Sequence, residues 1–358
     1  MQEPLFTIIM DAYYKHHFLK KAVDAIFQQT YTNLEIILIN NGATPETLEY
    51  LYEVEKKDKR LTLVHFEENQ FSYDDPMKMV AVCYNKALSI ATGEYVWYQS
   101  YDDIMAYDYV EKMVNLFQDN PKCITAAGNY EIIDSDGRIT STVPRHTNYR
   151  PRYMPGHILA LACIEGKQRM FGAPGTIFTI KRDALIKAGG YHRAMELSQL
   201  YGIVPFGVTG FDETAVFYWR RHEGQLNHLI MQKGLFGFTI LDLLKDWNIH
   251  SKWENVFGKN AADKIEAFLK NSNFQSMANW FVINLLHLRL MGAFRIFKKV
   301  WKYPLFWVLL PKTFWKRKKM VIEIFLPYAK IIIKKVFITF PSLVSQPKLK
   351  KLYERVKR

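Results

Sequence analysis

The first hundred residues alternate between short apolar runs and segments whose apolar side chains recur at helical spacing. The apolar runs are rich in β-branched residues and predict four buried strands, at residues 5–10, 34–39, 61–65 and 94–98. The segments between them predict three helices, at residues 16–29, 45–57 and 77–91. This alternation predicts an α/β fold with a doubly wound, mostly parallel sheet and helices on both faces.

Polar side chains follow three of these strands, at residues 11–14, 40–42 and 100–103. Ligands of doubly wound sheets bind at the carboxyl ends of the strands, so these positions are candidates for a binding site. Two adjacent carboxylates, Asp102 and Asp103, repel each other unless a cation neutralises them. Hard oxygen ligands suit Mg²⁺ or Mn²⁺, which also bind diphosphate oxygens. The alternative is that Asp102 or Asp103 caps a helix that begins near Ala106.

The alternation of strands and helices stops at about residue 229, and the remaining pattern is helical. Residues 236–247 and 261–269 predict packed helices, and residues 274–301 predict one long helix with an apolar stripe. We therefore predict one domain over residues 1–229, followed by a helical, basic and aromatic-rich region over residues 230–358.

The positive charge of the chain is concentrated near its C-terminus. The 358 residues include 48 Lys and Arg against 35 Asp and Glu, a formal net charge of +13. Residues 295–358 hold 18 of the basic and only 2 of the acidic residues, so the rest of the chain has a balance of −3. A hydrophobic content of 49% excludes a disordered chain. A membrane or nucleic-acid partner therefore has to be sought for the basic region alone.

Cysteine usage and the N-terminal sequence indicate a cytosolic catalytic body. The three cysteines, Cys83, Cys123 and Cys163, have no paired or metal-binding spacing, which is typical of a reducing compartment. The first ten residues lack the basic and apolar regions of a signal peptide. No stretch reaches the roughly 18 uninterrupted apolar residues that a membrane-spanning helix needs.

Aromatic and basic residues are interleaved from residue 274 to residue 358. This mixture is typical of helices that lie in the headgroup layer of an anionic membrane leaflet. Each basic residue near such a surface contributes about 1 kcal/mol to binding. The alternatives are a helical bundle with a solvated basic face and a nucleic-acid surface. Because apolar runs such as residues 305–310 exceed what a phosphate interface needs, we expect no nucleic acid.

A set of motifs resembles those of family 2 glycosyltransferases, which are inverting enzymes of the GT-A fold that use nucleotide-diphosphate sugars. The motifs are residues 6–9, 28–31, 34–42, 85–87, 93–104, 172–176, 182–191 and 220–227. Each motif is loose, but they occur in the family's order over about residues 5–228, and the ordered set is specific. The resemblance implies a nucleotide-sugar part over residues 1–120 and an acceptor part over residues 121–229.

The resemblance also implies roles for single residues. Nucleotide-sugar binding is assigned to Asp11, Tyr13, Asn40, Asn85, Ser100, Asp102 and Arg220. An acceptor-side loop contains Gly172, Pro174, Gly175 and Thr176. A divalent cation, Mn²⁺ or Mg²⁺, is assigned to Asp102, Asp103 and His222, and a neutral imidazole suits Mn²⁺. The alternative for His222 and Arg220 is that both are ordinary surface residues.

The chain departs from the family pattern at several positions. Asn40 and Asn41 stand where two aspartates are common, Ser100 where a third is usual, and Asp11 and Tyr14 in place of a proline and an asparagine. A side-chain amide at Asn40 still offers uracil both a donor and an acceptor. With a hydroxyl at Ser100, compensation of a metal's charge rests on the remaining carboxylates and the diphosphate.

The general base that deprotonates the acceptor hydroxyl has two candidates. Glu196 occupies the position that the family pattern favours, although the second acid expected beside it is missing. Asp212, followed by Glu213, lies closer to His222 than the pattern suggests. Either carboxylate has the alternative of facing water on a helix or turn. We favour Glu196.

These inferences lead to one expected function and two alternatives. We expect an inverting hexosyl- or N-acetylhexosaminyl-transferase that moves a sugar from a nucleotide diphosphate, a UDP-sugar, to a lipid-linked or cell-surface glycan. Its expected place is the cytoplasmic face of the cell membrane, as a peripheral protein of envelope polysaccharide biosynthesis. One alternative is a degenerate, non-catalytic GT-A module that acts as a membrane-bound binding subunit. A dehydrogenase is disfavoured because no G-x-G-x-x-G follows the first strand.

Overall fold

The first hundred residues fold in the predicted alternation. The computed structural model describes residues 3–13, 16–142, 151–167, 178–235 and 239–317. The first seven elements are β1 Phe6–Ala12, α1 His16–Phe27, β2 Leu34–Asn41, α2 Pro45–Lys57, β3 Leu61–Phe66, α3 Lys78–Leu88 and β4 Tyr95–Gln99. β1 and β2 are buried over almost their whole length, as continuous apolar strands covered on both faces must be.

The next part of the chain adds shorter strands and helices. They are β5 Ile104–Met105, α4 Tyr109–Asp119, β6 Cys123–Ile133, β7 Ile139–Thr142, β8 Tyr153–Pro155, α5 Gly156–Ile164, β9 Phe178–Lys181, α6 Arg182–Ala188, α7 Met195–Gly202 and β10 Val208–Arg220. One turn of 3-10 helix, Val204–Phe206, precedes β10. β10 has a register shift against β6 between Asp212 and Val216, so residues 213–215 bulge out of the pairing.

The strands form one mixed sheet in the order β3-β2-β1-β4-β9-β6-β10-β5, with β7 beside β6 and β8 beside β10. β1 is parallel to β2 and β4, β2 to β3, and β6 to β10, whereas β9 is antiparallel to both β4 and β6. Six strands therefore run in one direction, and their carboxyl ends meet at one edge. Neighbouring side chains such as Ile8 and Ile9 belong to separate buried clusters, one on each face.

Helices make up the remaining described residues. They are α8 Leu226–Lys233, α9 Thr239–Asp246, α10 Ile249–Phe257, α11 Lys259–Leu286, α12 Leu290–Val300 and α13 Pro304–Lys316. The prediction of a single long helix over residues 274–301 is wrong, because residues 287–289 are not helical and separate α11 from α12. The predicted helix at residues 261–269 is part of α11. A left-handed backbone at Leu288, with a φ of +55°, ends α11 without any glycine or proline in the sequence.

The chain divides into two compact units. One comprises Met1–Leu226 with Gly237–Lys270, and the other comprises Asn227–Phe236 with Asn271–Arg358. The division lies near the predicted boundary at residue 229, but Gly237–Lys270 groups with the sheet. Trp253 illustrates why, since its buried indole Nε1 donates a hydrogen bond to the Tyr201 carbonyl at 2.8 Å. Residues 318–358 of the predicted membrane-surface region lie outside the described residues. Among the residues described, none of the helices is long and apolar enough to cross a bilayer.

Candidate active site

The carboxyl ends of the parallel strands bring several predicted site residues to one edge of the sheet. Ala12 at the end of β1 is paired with Asn40, and Asn40 is paired with His65 at the end of β3. β1 ends two residues later than predicted, so Asp11 lies inside the strand and Tyr13 directly follows it. The Tyr13 carbonyl accepts a hydrogen bond from the Thr44 N–H at 3.1 Å. Tyr14 lies outside the described residues.

Asp102 and His222 form a buried pair at this edge. The carboxylate Oδ2 lies 2.8 Å from the imidazole Nε2 across 120 residues of sequence, and the two side chains are only 9% and 3% exposed. His222 Nδ1 lies 2.7 Å from the Glu223 carbonyl oxygen. Because that oxygen can only accept, Nδ1 is the donor and Nε2 is the nitrogen turned to Asp102. Ser100 donates to the other oxygen of Asp102, Oδ1, at 2.6 Å.

This pair fits a divalent cation that is completed by its substrate. A histidine that binds a metal usually donates its other ring N–H to a carbonyl or carboxylate, as His222 does to Glu223. Within the described residues, no group of three or more His, Cys, Asp or Glu side chains is arranged to hold a metal. Mg²⁺ in nucleotide enzymes is commonly bound through one or two carboxylates together with substrate phosphates. Asp102 and His222 therefore suffice only if a diphosphate supplies further oxygens.

Asp103 binds the main chain of β10. Its Oδ1 accepts the Arg220 N–H at 2.8 Å, and burial, followed by the charge of Asp102, raises the pKa of Asp103 well above its usual value. The Asp103 side chain is thus engaged with the main chain of β10, which leaves Asp102 as the carboxylate that contacts His222. The alternative that either aspartate caps the following helix is wrong, since α4 begins at Tyr109 behind the N-cap Asp108.

Arg220 organises the loop that carries Asp102. Its side chain is fully buried, Nε donates to the Asp102 carbonyl at 2.8 Å, and Nη1 donates to the carbonyls of Asp134 and Ser135 at 2.9 and 3.1 Å. Burial lowers the pKa of the guanidinium. Nη2 is the one nitrogen of this group without a hydrogen-bond partner among the described residues. Arg220 was predicted to bind the nucleotide sugar, but most of its side-chain N–H groups donate to main-chain oxygens instead.

Asp11 belongs to a buried polar chain that the sequence did not predict. Tyr84 donates to Asp11 Oδ1 at 2.7 Å, and the ring of Tyr98 packs against that of Tyr84 with 4.1 Å between their centroids. Burial raises the pKa of Asp11 to about 6, with the charge of Asp102 adding to the effect. The alternation of side chains along β4 was the available signal, because it places Tyr98 on the face of Ser100.

Asn40 and Asn41 are held by local hydrogen bonds. Asn40 Oδ1 accepts the Ala43 N–H at 2.7 Å, and its Nδ2 lies 3.2 Å from His65 Nδ1. Asn41 Oδ1 accepts the Gln70 N–H at 2.8 Å. The Asn41 Nδ2, which is buried, has no partner among the described residues. His65 was missed, although the register of β2 and β3 places it directly beside Asn40.

Asn85 connects α3 to the turn after α6. Its Oδ1 accepts the Tyr191 N–H at 2.7 Å, and its Nδ2 donates to the Tyr191 carbonyl at 2.9 Å. Gly190 in that turn has a φ of +82°, and a Cβ there would lie 2.3 Å from Asn85 Oδ1. Asn85, which was predicted to bind the nucleotide sugar, therefore uses both its amide oxygen and its amide nitrogen to bind the main chain of the acceptor side.

The two candidate bases have different surroundings. Glu196 lies in the first turn of α7, directly after Met195, whose φ of +29° is unusual for a side chain other than glycine. Burial raises the pKa of Glu196. Asp212 precedes the bulge of β10, where its Oδ1 accepts hydrogen bonds from the Thr214 N–H and Oγ1 at 2.9 and 2.7 Å. Asp212 is thus engaged within its own loop.

The predicted acceptor-side loop, with Gly172, Pro174, Gly175 and Thr176, lies outside the described residues. The turn that follows α6 is described, and it begins with Gly189 in the left-handed region.

Comparison with known proteins decides the family. The model of "Glycosyl transferase family 2" matches residues 7–187, just over half of the chain. The chain belongs to glycosyl transferase family 2. A glycosyltransferase of Haemophilus influenzae is 33% identical to this transferase over 137 residues, which cover 38% of the chain and 51% of the relative. Bacillus subtilis TuaG, named for teichuronic acid biosynthesis, is 28% identical over 135 residues, 38% of the chain and 50% of the relative. The transferase thus matches about half the length of these relatives.

Solved structures place the chain in the GT-A fold. Residues 1–349 of Staphylococcus aureus TarS, crystallised in complex with UDP-GlcNAc, align with a TM-score of 0.55 at 14% identity over 75% of this chain and 72% of that one. At this identity the likeness concerns the fold alone. The predicted fold class, a GT-A sheet followed by a helical region, is confirmed. Asp102 lies inside the family match, whereas Glu196 and His222 lie beyond it.

Proposed function

We propose that this transferase moves a sugar from a UDP-sugar to a lipid-linked or cell-surface glycan with inversion at the anomeric carbon. The observation that carries the proposal is the buried Asp102–His222 pair at the carboxyl edge of the sheet. A carboxylate and an imidazole in contact, with the second ring nitrogen fixed by a carbonyl, would hold a divalent cation together with diphosphate oxygens. A bound divalent cation supplies positive charge against the charge that develops on the departing diphosphate.

In this proposal the chain's own residues hold the site and move one proton. Ser100 and Arg220 orient Asp102 from two sides, through Oδ1 and through the main-chain carbonyl. Glu196 accepts the proton of the acceptor hydroxyl while the acceptor oxygen bonds to the anomeric carbon and the bond to the diphosphate breaks. Its pKa, raised by burial, brings this carboxylate closer to the operating pH, as a general base requires.

Asn40 and two of the comparisons support the donor and acceptor classes. Asn40 at the end of β2 carries an amide of the kind that pairs with uracil, and the TarS structure of the same fold is a UDP-GlcNAc complex. A relative named for teichuronic acid biosynthesis supports a surface-glycan acceptor. We further propose peripheral association with the cytoplasmic face of the cell membrane through residues 274–358, on the basis of their basic and aromatic content.

Thermal shift and donor hydrolysis test this proposal. UDP-, GDP- and other nucleotide sugars are screened with Mn²⁺ and with Mg²⁺. We expect stabilisation by a UDP-sugar that requires the cation and that Asp102→Asn and His222→Ala remove. His250→Ala is the matched control, because His250 is a partly exposed histidine that also pairs with a carboxylate, Asp263, at 3.0 Å.

Two results contradict the proposal. A stabilisation that His222→Ala leaves unchanged removes the metal pair from the mechanism. Cation-dependent nucleotide binding without hydrolysis or transfer by any donor favours the degenerate, non-catalytic module instead. The engagement of Arg220 and Asp103 with the main chain is the observation that favours this second candidate.

A further inference from the structure

Helix α12 is apolar on two opposite sides. Its inward side is buried and consists of Gly292, Ala293, Ile296 and Val300. Its outward side carries Leu290, Met291 and Phe294, which are 63%, 67% and 59% exposed. A helix of a water-soluble unit normally presents charged or polar residues there. Large apolar side chains that are contiguous and exposed mark a surface that a partner covers.

Helix α13 continues the outward apolar side. Phe306 and Leu309 are buried, whereas Trp307, Val308 and Trp315 are exposed. The two helices are in contact through aromatic rings, since the ring centroids of Phe297 and Trp307 are 6.1 Å apart. The Trp307 Nε1 also donates a hydrogen bond to the Trp301 carbonyl at 2.6 Å. We call the exposed set the outward face. It consists of Leu288, Leu290, Met291, Phe294, Trp301, Trp307, Val308 and Trp315.

Leu288 shows that the outward face is not a by-product of folding. It ends α11 in the left-handed region with a φ of +55°. Its N–H donates to the Leu285 carbonyl at 3.0 Å, and the Arg289 N–H donates to the Asn284 carbonyl at 2.8 Å. These are the two hydrogen bonds of a Schellman C-cap, in which glycine is the preferred residue. Glycine would form the same turn without strain, and the Leu288 side chain, which is 66% exposed, lies outside the core.

Charge identifies what covers this face. Residues 271–317 contain eight Lys and Arg and no Asp or Glu. Residues 318–358 add eleven basic and two acidic residues, so a second copy of the same unit would bring like charges together. A partner that is anionic at its surface and apolar beneath it satisfies both the charges and the exposed leucine, methionine and tryptophan side chains.

We propose that the outward face of α12 and α13 inserts into the boundary between headgroups and acyl chains of an anionic lipid leaflet. Leu288, Met291 and Phe294 enter the apolar layer, while Arg295 and Lys298 remain at the level of the phosphates. This inference rests on the peripheral association proposed above and assigns it to one surface. Its tests do not involve sugar transfer, so it can fail while the enzymatic proposal holds, and the reverse.

The first test measures binding of the full chain to vesicles of phosphatidylcholine, with and without phosphatidylglycerol. We expect binding that requires the anionic lipid, and a loss of at least about tenfold for the double variant Met291→Ser/Phe294→Ser. Tyr107→Ser/Val256→Ser is the matched control, since these residues of the sheet-containing unit are 65% and 59% exposed. Wild-type binding by the first variant, or no binding to anionic vesicles at low salt, overturns the proposal.

The second test uses Leu288→Gly, for which the two readouts move in opposite directions. Glycine removes the strain of the left-handed turn, so we expect an unchanged or raised unfolding temperature together with weaker vesicle binding. A fall in unfolding temperature with unchanged vesicle binding assigns Leu288 to folding and overturns its role in membrane binding.

Competition by a single-stranded oligonucleotide separates a lipid surface from a nucleic-acid surface. If the oligonucleotide displaces the protein from vesicles and the apolar variants do not change its binding to the oligonucleotide, the surface binds nucleic acid and the proposal is overturned.

Discussion

Each buried polar side chain at the carboxyl edge of the sheet is held by a specific contact. The two carboxylate oxygens of Asp102 contact Ser100 and His222, and its main-chain carbonyl accepts a hydrogen bond from Arg220. Burial raises the pKa of Glu196. In the proposed function, Asp102 is the fixed ligand and Glu196 is the group that accepts a proton.

The first prediction concerns the pH dependence of sugar transfer. A general base works in its ionised form, so kcat/KM should rise with pH through a pKa above the ordinary value of a glutamate. Glu196→Gln should lower kcat by about a hundredfold or more and abolish this limb, with unchanged UDP binding. Asp212→Asn serves as the matched control and should change kcat less than about threefold. If Asp212→Asn removes the limb and Glu196→Gln does not, Asp212 is the base.

The second prediction concerns Asn85 and stability. Asn85→Ala leaves both the N–H and the carbonyl of Tyr191 without their partner, which should lower the free energy of unfolding by about 1–3 kcal/mol. Urea denaturation measures the change. Asn255→Ala, at an exposed position of α10, should leave stability within about 0.5 kcal/mol of wild type. Equal effects of the two substitutions would show that Asn85 does not hold the turn.

At the scale of elements, pattern predicted the long buried strands and missed the short ones. β1 to β4 are continuous apolar runs, so their existence follows from the sequence. β8 and β9 have three and four residues, too few for any periodicity to be recognised. The break after α11 was missed because Leu288 stands where sequence reasoning looks for glycine. The pairing of Asp102 with His222 was implied by family resemblance and not by spacing, since 120 residues separate them.

The third prediction concerns the turn between α6 and α7. Gly190→Ala places a methyl group 2.3 Å from Asn85 Oδ1 at a φ of +82°, so it should lower the free energy of unfolding by about 2 kcal/mol or more. Gly166→Ala is the matched control, because Gly166 has a φ of +71° and nothing within 4 Å of the added carbon. That variant should lose only about 1 kcal/mol from backbone strain. Equal losses would mean that contact with Asn85 is unimportant.

At the scale of the whole molecule, charge and chemistry occupy different parts of the chain. The formal charge of +13 arises from residues 295–358, whereas the remainder has a balance of −3. The metal-site candidates and the bases all lie in the unit that contains the sheet. The proposed attachment and the proposed chemistry are therefore assigned to different parts of the chain.

The fourth prediction is a difference in salt sensitivity. Vesicle binding should fall by about tenfold or more between low and high ionic strength, because interactions of exposed charges are screened. Transfer to a water-soluble acceptor should change by less than about threefold over the same range. Sedimentation with vesicles and a coupled release assay for the nucleoside diphosphate measure the two quantities. Equal salt dependence of both would indicate that the basic region takes part in donor or acceptor binding.

The contact of Arg220 and His222 with Asp102 also determines when the site comes into existence during synthesis. These contacts span 118 and 120 residues, so a nascent chain that ends before residue 222 has β1 to β4 and Asp102 but no completed site. Domains generally fold as units while the ribosome is still adding residues. In the proposed function, donor binding therefore waits until β10 has emerged and joined the sheet. The proposed site is completed by the last strand of the fold.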